Sequence, residues 1–230
     1  MNLKLFLDEL NKLNIQPTAL QLEQLHKYFE LLVEYNKVMN LTGITEEEDV
    51  YLKHFYDSLT LARVIDLNNV NNLCDIGTGA GFPGLVLKIM YPNLKVTLVD
   101  SLNKRIEFLK TVIKELELAG IEAIHARAEE YAIKNREIFD VVTARAVASL
   151  NILLEYSMPL VKVNGYFIAM KGKNEEAHNA LKALSSKIEK VDEFLLPIEN
   201  SNRTLIKIQK EEKTNNKYPR KYGDMKKKPL

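Results

Sequence analysis

The chain has 230 residues, 46% of them hydrophobic and 27% charged, enough for one sizeable core. No apolar run approaches the ~20 residues of a membrane-spanning helix. The start, MNLKLFLDEL, is broken by Asp8 and Glu9 and does not read as a signal peptide. The single cysteine, Cys74, allows neither an internal disulfide nor a thiolate metal cluster, so the expectation is a metal-free protein of the reducing cytoplasm. A net charge of +1 hides an asymmetry, because ten Lys and Arg face three acids between Arg203 and Leu230. Such an end is either a frayed, solvated tail or a surface for an anionic partner.

Residues 3–13 and 18–40 carry apolar positions at helical spacing, with Leu22, Leu25, Phe29 and Leu32 along one face of the second. Thr18, after Pro17, marks a predicted helix start, although Leu20 to Gln24 leaves the cap itself open. A third helical stretch from 46 to 65 carries Val50, Leu52, Phe55, Leu59 and Leu61. Beyond it, strands are predicted at 72–76, 95–99, 121–125, 138–143 and 163–170, with helices at 83–91, 103–118, 149–160 and 174–187. This alternation is the pattern of a parallel sheet covered on both faces. Residues 189–196 and 203–209 then read as two strands whose connection is too short for a parallel crossover, so they form an antiparallel pair. The predicted architecture is a Rossmann-like α/β fold with a mostly parallel seven-stranded sheet. Residues 1–66 form a helical region, 67–212 the sheet domain and 213–230 a basic tail.

Four of the nine glycines fall in LCDIGTGAGFPG, residues 73–84, behind the first predicted sheet strand. Ligands of open parallel sheets bind beyond the carboxyl ends of the strands. Glycines there permit φ > 0 and let a ligand lie against the main chain. Dinucleotides and S-adenosyl-L-methionine both use this device, and Gly79 to Gly84 even satisfies the weak G-x-G-x-x-G pattern. Asp75 tips the balance, since a carboxylate repels a pyrophosphate but suits a sulfonium and an ammonium. Asp100, ending the second strand, suits ribose hydroxyls in either ligand. Methyl transfer is therefore favoured. A nicotinamide oxidoreductase and a non-catalytic RNA-binding module remain the rivals.

The absences narrow the methyl acceptor. Pyrimidine-carbon methylation calls for a cysteine nucleophile, and Cys74 lies inside a strand, where a core role is favoured. Exocyclic-amine methylation calls for an Asn/Asp-Pro-Pro-aromatic turn after the fourth strand, where this chain has Thr143-Ala144-Arg145-Ala146. Guanine N7 is among the acceptors left, with a lone pair and no proton to lose, so positioning suffices and no general base is needed.

The chain resembles the bacterial 16S rRNA guanine-N7 methyltransferases of the small ribosomal subunit, also called glucose-inhibited division protein B. The resemblance covers nearly the whole chain. It rests on the joint order of Asn40-Leu41-Thr42, His54-Phe55-Tyr56-Asp57-Ser58, the DIGTGAGFPG loop, Val99-Asp100-Ser101-Leu102 and Ala128-Glu129-Glu130. It continues through Arg145-Ala146-Val147-Ala148-Ser149, Met170-Lys171-Gly172 and Tyr218-Pro219-Arg220 to Leu230. Val147 stands where the arginine motif more usually has an aromatic residue. The resemblance implies S-adenosyl-L-methionine as cofactor, 16S rRNA or an assembling small subunit as partner, and a monomer. It implies that Gly77 and Phe82, with Gly79 and Asp75 of the same loop, line the donor site. Asp100 would hold the ribose, and Ala128 and Glu129 would flank the adenine. Arg145 would reach the donor or position the guanine, and Lys171, Arg220 and Lys221 would meet RNA phosphate.

Plainer readings stand beside these. Asp57 reads as a group that orients His54 within a structural network. Lys104 and Arg105, at a helix start where the macrodipole disfavours cations, are either near RNA or simply solvated. Deleting residues 213–230 is expected to spare donor binding and to weaken RNA methylation. Loss of donor binding would instead make the tail part of the fold.

Overall fold

The computed structural model describes residues 1–145 and 148–230; Ala146 and Val147 of the arginine motif lie outside the described residues. Helices α1 (Leu3–Lys12) and α2 (Ala19–Met39) open the chain. A continuous helical run follows: α3 (Glu47–Val50), a π-helical turn at Tyr51–Tyr56, α4 (Asp57–Leu59) and a 3₁₀ turn at Thr60–Arg63. The cap of α2 is Thr18. Its side chain accepts from the Gln21 N–H, and the Gln21 side chain accepts from the Thr18 N–H, a reciprocal capping box. Gln21 also donates through Nε2 to the carbonyls of Ile89 and Met90. Gln21, which closes the capping box, thus also ties α2 to the end of a helix in the sheet domain.

The strands are β1 (Asn72–Ile76), β2 (Lys95–Asp100), β3 (Ile121–His125), β4 (Phe139–Arg145), β5 (Val161–Lys171), β6 (Ser186–Leu195) and β7 (Asn202–Lys210). They form one sheet in the order β3-β2-β1-β4-β5-β7-β6. The first five run parallel, and β7 pairs antiparallel with both β5 and β6. Helices α5 (Gly84–Met90), α6 (Asn103–Glu115), α7 (Ala128–Lys134), α8 (Leu150–Ser157), α9 (His178–Ala183) and α10 (Tyr222–Lys227) complete the fold. The predicted strands are all present within a few residues. The short helices α7 and α10 leave no period in the sequence, because seven and six residues are too few for a clear helical pattern. Among the described residues, no helix is long and apolar enough to cross a membrane.

Strand side chains alternate between the two faces of the sheet. Leu73, Leu98, Val141, Ile168 and Leu205 join one core with Phe6, Leu25, Tyr28, Leu85 and Leu109. Cys74, Val99, Val142, Phe167 and Ile206 join a second with Ala132, Leu154, Ala180 and Met225. The helices of residues 1–66 therefore lie in the same layer as α5 and α6, while α7 to α10 cover the other face. Cys74 is a fully buried free thiol, as a core reading requires.

The chain runs outward from β1 through β2 to β3 and then returns to lay β4 on the other side of β1. That reversal opens a crevice at the carboxyl ends of β1 and β4, where ligands of such sheets bind. One position there is set by crowding. A Cβ on Gly84 would strike the Leu98 side chain and come within 2.9 Å of Asp75 Cβ and Oδ2. Gly84→Ala is expected to cost about 1–3 kcal/mol by overpacking, read as a lower melting temperature. An unchanged melting temperature would show that the loop yields freely.

Candidate functional site

After β1 the chain turns through Gly77 (φ 68°), Gly79 (φ 62°) and Gly81 (φ 106°), conformations open to glycine. Gly77 and Thr78 donate their N–H groups to the Val99 carbonyl, which continues the pairing with β2 past the strand end. The Gly79 N–H donates to Asp100 Oδ2 at 2.9 Å, the Leu102 N–H to Asp100 Oδ1 at 2.9 Å, and Arg105 Nη1 to Oδ2 at 3.2 Å. Asp100 thus joins the β1 and β2 turns. A Cβ built on Gly79 meets nothing within 4 Å, so its backbone faces open space.

Asp75 is not where the donor reading places it. It is fully buried; its Oδ2 accepts from Thr78 Oγ1 at 2.7 Å and from the Gly84 N–H at 2.8 Å. It ties the two ends of the glycine loop together and does not line the cleft. Its Oδ1 finds no partner among the described residues, and burial lifts its carboxyl to about 6 against the pull of those two bonds.

The cleft holds about 570 Å³ and is walled by Gly77, Gly79 and Phe82, by Asp100, by Ala128 and Glu129, and by Arg145. Seven of the eight expected donor-site residues therefore converge, and Asp75 supports them from behind. Leu41, Thr42, His54, Arg105, Tyr156 and Tyr222 are also in the wall. Of the paired acids, Glu129 faces the cleft, while Glu130 is exposed.

Arg145, at the end of β4, is held from the helical run of residues 47–63. Its Nη1 donates to the Lys53 carbonyl at 3.1 Å and to Asp57 Oδ2 at 3.2 Å. Its Nη2 lies 3.2 Å from His54 Nδ1. A guanidinium only donates, so His54 Nδ1 accepts and Nε2 carries the proton, donated to Thr42 Oγ1 at 2.9 Å. The imidazole stacks on Phe82 with centroids 4.2 Å apart and 12° between planes, and the Arg145 guanidinium stands 5.3 Å from the same ring. Burial, reinforced by Arg145, pushes the His54 pKa down to about 3. The expected role of Asp57 changes accordingly. It binds Arg145 and, through Oδ1, Arg203 Nε at 2.9 Å, rather than His54.

His54 and Arg145 also border a second cleft of about 410 Å³, whose wall includes Lys53, Asp57, Lys171, Glu199 and Arg203. Cations outnumber acids there. Lys171 is mostly buried and engaged: its Nζ donates to the Ala148 carbonyl at 2.7 Å and pairs with Glu175 at 2.9 Å. Arg220 is likewise committed, to Glu155 at 2.6 Å, whereas Lys221 is exposed. Lys104 donates to the Met39 carbonyl, and Arg105 serves Asp100, so both helix-start cations have local partners. Arg203 and Glu155 escaped the sequence reading, whereas Tyr222 is expected from it, with the other aromatics and cations of the tail, to stack on RNA bases. Of the two that escaped, only Glu155 left a signal, as a lone acid in the apolar stretch ILLEYSMPL.

A family model described as rRNA small subunit methyltransferase G matches residues 21–206. A ribosomal RNA small subunit methyltransferase G from Bacillus cytotoxicus is 50% identical over all of this chain and 99% of its own length. The protein of that name from Exiguobacterium sibiricum is 50% identical over the whole of both chains. Among solved structures, a SAM-dependent methyltransferase from Aquifex aeolicus aligns with a TM-score of 0.54 at 16% identity, covering 71% of this chain and 93% of that one. TrmK of M. capricolum, solved with S-adenosyl-homocysteine, gives 0.52 at 22% identity and covers 69% of each chain. These two likenesses speak for the fold.

The His54 arrangement makes a pH prediction. As pH falls below 6.5, the unfolded chain takes up a proton at His54 that the folded chain refuses until about pH 3, so stability is lost on acidification. The loss is about 2 kcal/mol between pH 7 and pH 5. Asp75 acts in the opposite sense, since its raised pKa means the folded chain takes up its proton first. The difference between parent and His54→Gln denaturation curves isolates the histidine: the variant should lose less stability on acidification. Parallel curves would refute the buried neutral imidazole.

Proposed function

Because the chain belongs to the rRNA small subunit methyltransferase G family, we propose that it transfers the methyl group of S-adenosyl-L-methionine to N7 of a guanine in 16S ribosomal RNA. The observation that carries this reading is the meeting of two clefts at Arg145 and His54, one walled by the glycine loop and one predominantly cationic. The first accepts a nucleoside against an open backbone, and the second suits a nucleotide with its phosphate.

The first cleft fits the donor. Its volume suits an adenosyl amino acid, Gly79 presents backbone without a side chain, and Asp100 and Glu129 offer carboxylates to a cationic ligand. When bound, the donor supplies a methyl group on a positively charged sulfur, which the guanine N7 lone pair displaces in line. The protein's part is positioning. Phe82 is clamped between His54 and the ring of Tyr28, whose centroid lies 5.5 Å away, so the floor beneath the reacting groups is rigid. Arg145, fixed by three partners, orients the acceptor. His54 has both ring nitrogens engaged and serves no proton transfer, in keeping with an acceptor that has no proton to lose. Asp57 balances the charge of Arg145 and Arg203 beside a product base that is itself cationic.

Lys221, exposed beside the clefts' C-terminal wall, is the remaining candidate for RNA phosphate, with Lys53 at the second cleft. Each phosphate contact would make binding fall with salt. The protein acts as a monomer in the cytoplasm, where its substrate is assembled.

Incubation with labelled donor and small-subunit rRNA lacking the modification, naked and in assembled particles, tests the reading. One guanine should become labelled 7-methylguanosine. Saturable NAD(H) binding without donor binding, or no label in RNA, would overturn it. Arg145→Ala is expected to lower turnover roughly tenfold or more, equivalent to ~1.4 kcal/mol or more of lost positioning. Its melting temperature should fall too, because the Lys53 carbonyl and His54 Nδ1 lose their donor, but with Asp57 still paired to Arg203 the variant should remain folded under assay conditions. Unchanged turnover would remove Arg145 from the site.

A further inference from the structure

A solvated tail does not account for the placement of the C-terminal residues. Arg220 donates to Glu155 through Nε at 2.7 Å, Nη2 at 2.6 Å and its own backbone N–H at 2.9 Å. The Glu155 side chain is 1% exposed, so this fork is set into the α8 surface. Arg136 adds bonds to the Tyr218 and Thr214 carbonyls at 2.7 and 2.6 Å. Three residues past Tyr222, Met225 is fully buried in the core of that face.

Tyr222 is therefore fastened on both sides, two residues after one anchor and three before the other. The residue is nonetheless 41% exposed, and it stands in the wall of the first cleft with Ala128, Glu129 and Tyr156. A ring that is free through fraying would not sit between an arginine forked onto a buried carboxylate and a buried methionine. A ring that served the core would turn inward, as Met225 does. Held firmly and left open at a cleft edge, it presents an apolar face with a polar rim to whatever enters, the combination aromatic residues supply at binding surfaces.

We infer that Tyr222 is a donor-binding residue, giving its ring to the purine of the nucleoside in the first cleft. The C-terminal segment from Tyr218 to Leu230 is then a wall of the donor site before it is anything to RNA. This inference rests on the methyl-donor reading above and on the expectation that Ala128 and Glu129 flank the adenine, the side of the cleft on which Tyr222 stands. A purine is flat and offers a π-face to an aromatic ring, whereas the aliphatic end of the donor does not. It also reverses the expectation that truncation at residue 213 spares donor binding.

The chain has no tryptophan, so Tyr222→Trp installs a lone fluorescent indole in the full-length protein. Titration with S-adenosyl-homocysteine should change its emission saturably. Calorimetry with the same ligand should show Tyr222→Ala weakened on the order of tenfold, as expected for one lost stacking contact, with Tyr222→Phe near the parent. Melting without ligand checks that the variants fold; if Tyr222→Ala does not, the Phe and Trp variants decide. Parent-like affinity in Tyr222→Ala, or an indole blind to saturating ligand, overturns the inference and leaves the donor reading intact. Loss of RNA binding alone in Tyr222→Ala overturns it too, in favour of stacking on an RNA base. A parent protein that binds no S-adenosyl-homocysteine overturns the donor reading itself, and this inference with it.

Discussion

The Asp57 carboxylate joins three parts of the chain that are far apart in sequence. It sits on the helical run of residues 47–63 and receives Arg145 from the end of β4 and Arg203 from the start of β7. Its side chain is 6% exposed, so each charge needs the others. Removing one partner from such a cluster leaves a buried charge uncompensated, while the intact set fixes orientation. The cluster registers the helical run of residues 47–63, whose apolar side is packed into the core, against the end of β4 and the start of β7, and the border between the two clefts lies there. His54 and the Lys53 carbonyl belong to the same turn, and the π-helical geometry there presents both toward Arg145.

The glycine loop depends on two further acids, which accept from backbone. Asp75 closes the loop onto the start of α5, and Asp100 ties it to the next strand. Both carboxylates accept from the protein's own backbone. A loop braced in this way by its own chain has less freedom to lose when a ligand is held, which lowers the ordering cost of binding. Asp100 both braces this loop and faces the cleft, so its oxygens would be shared between protein and ligand.

Charge at the C-terminal end is used in two ways. Arg220 is sunk against Glu155, and Met225 and Tyr218 fill the core beneath it, so the residues between Thr214 and Met225 are part of the packed structure. Lys221 and Lys226 to Lys228 stay at the surface. An arginine forked onto a buried carboxylate and an exposed lysine a single residue apart separate fastening from any contact with an anionic partner. Counting charges along the chain merges the two, which is why Arg220 and Lys221 read alike before the fold is known.

Periodicity along the chain determined the seven strands, the two-faced sheet and the antiparallel ending, because alternation and helical spacing are local consequences of burial. The spacing of LCDIGTGAGFPG and the acid ending β2 placed a nucleoside site at the sheet edge, since strand ends and glycine turns are local too. The joint order of short motifs pointed to the family. What tertiary structure decided are the roles of charged residues, because a side chain's partner is set by distance in space. Asp75 turned from the ligand to the loop, and Asp57 chose two arginines over His54. Lys171 and Arg220 were taken up by Glu175 and Glu155, and Tyr222 came to the cleft through anchors that only the folded chain brings together.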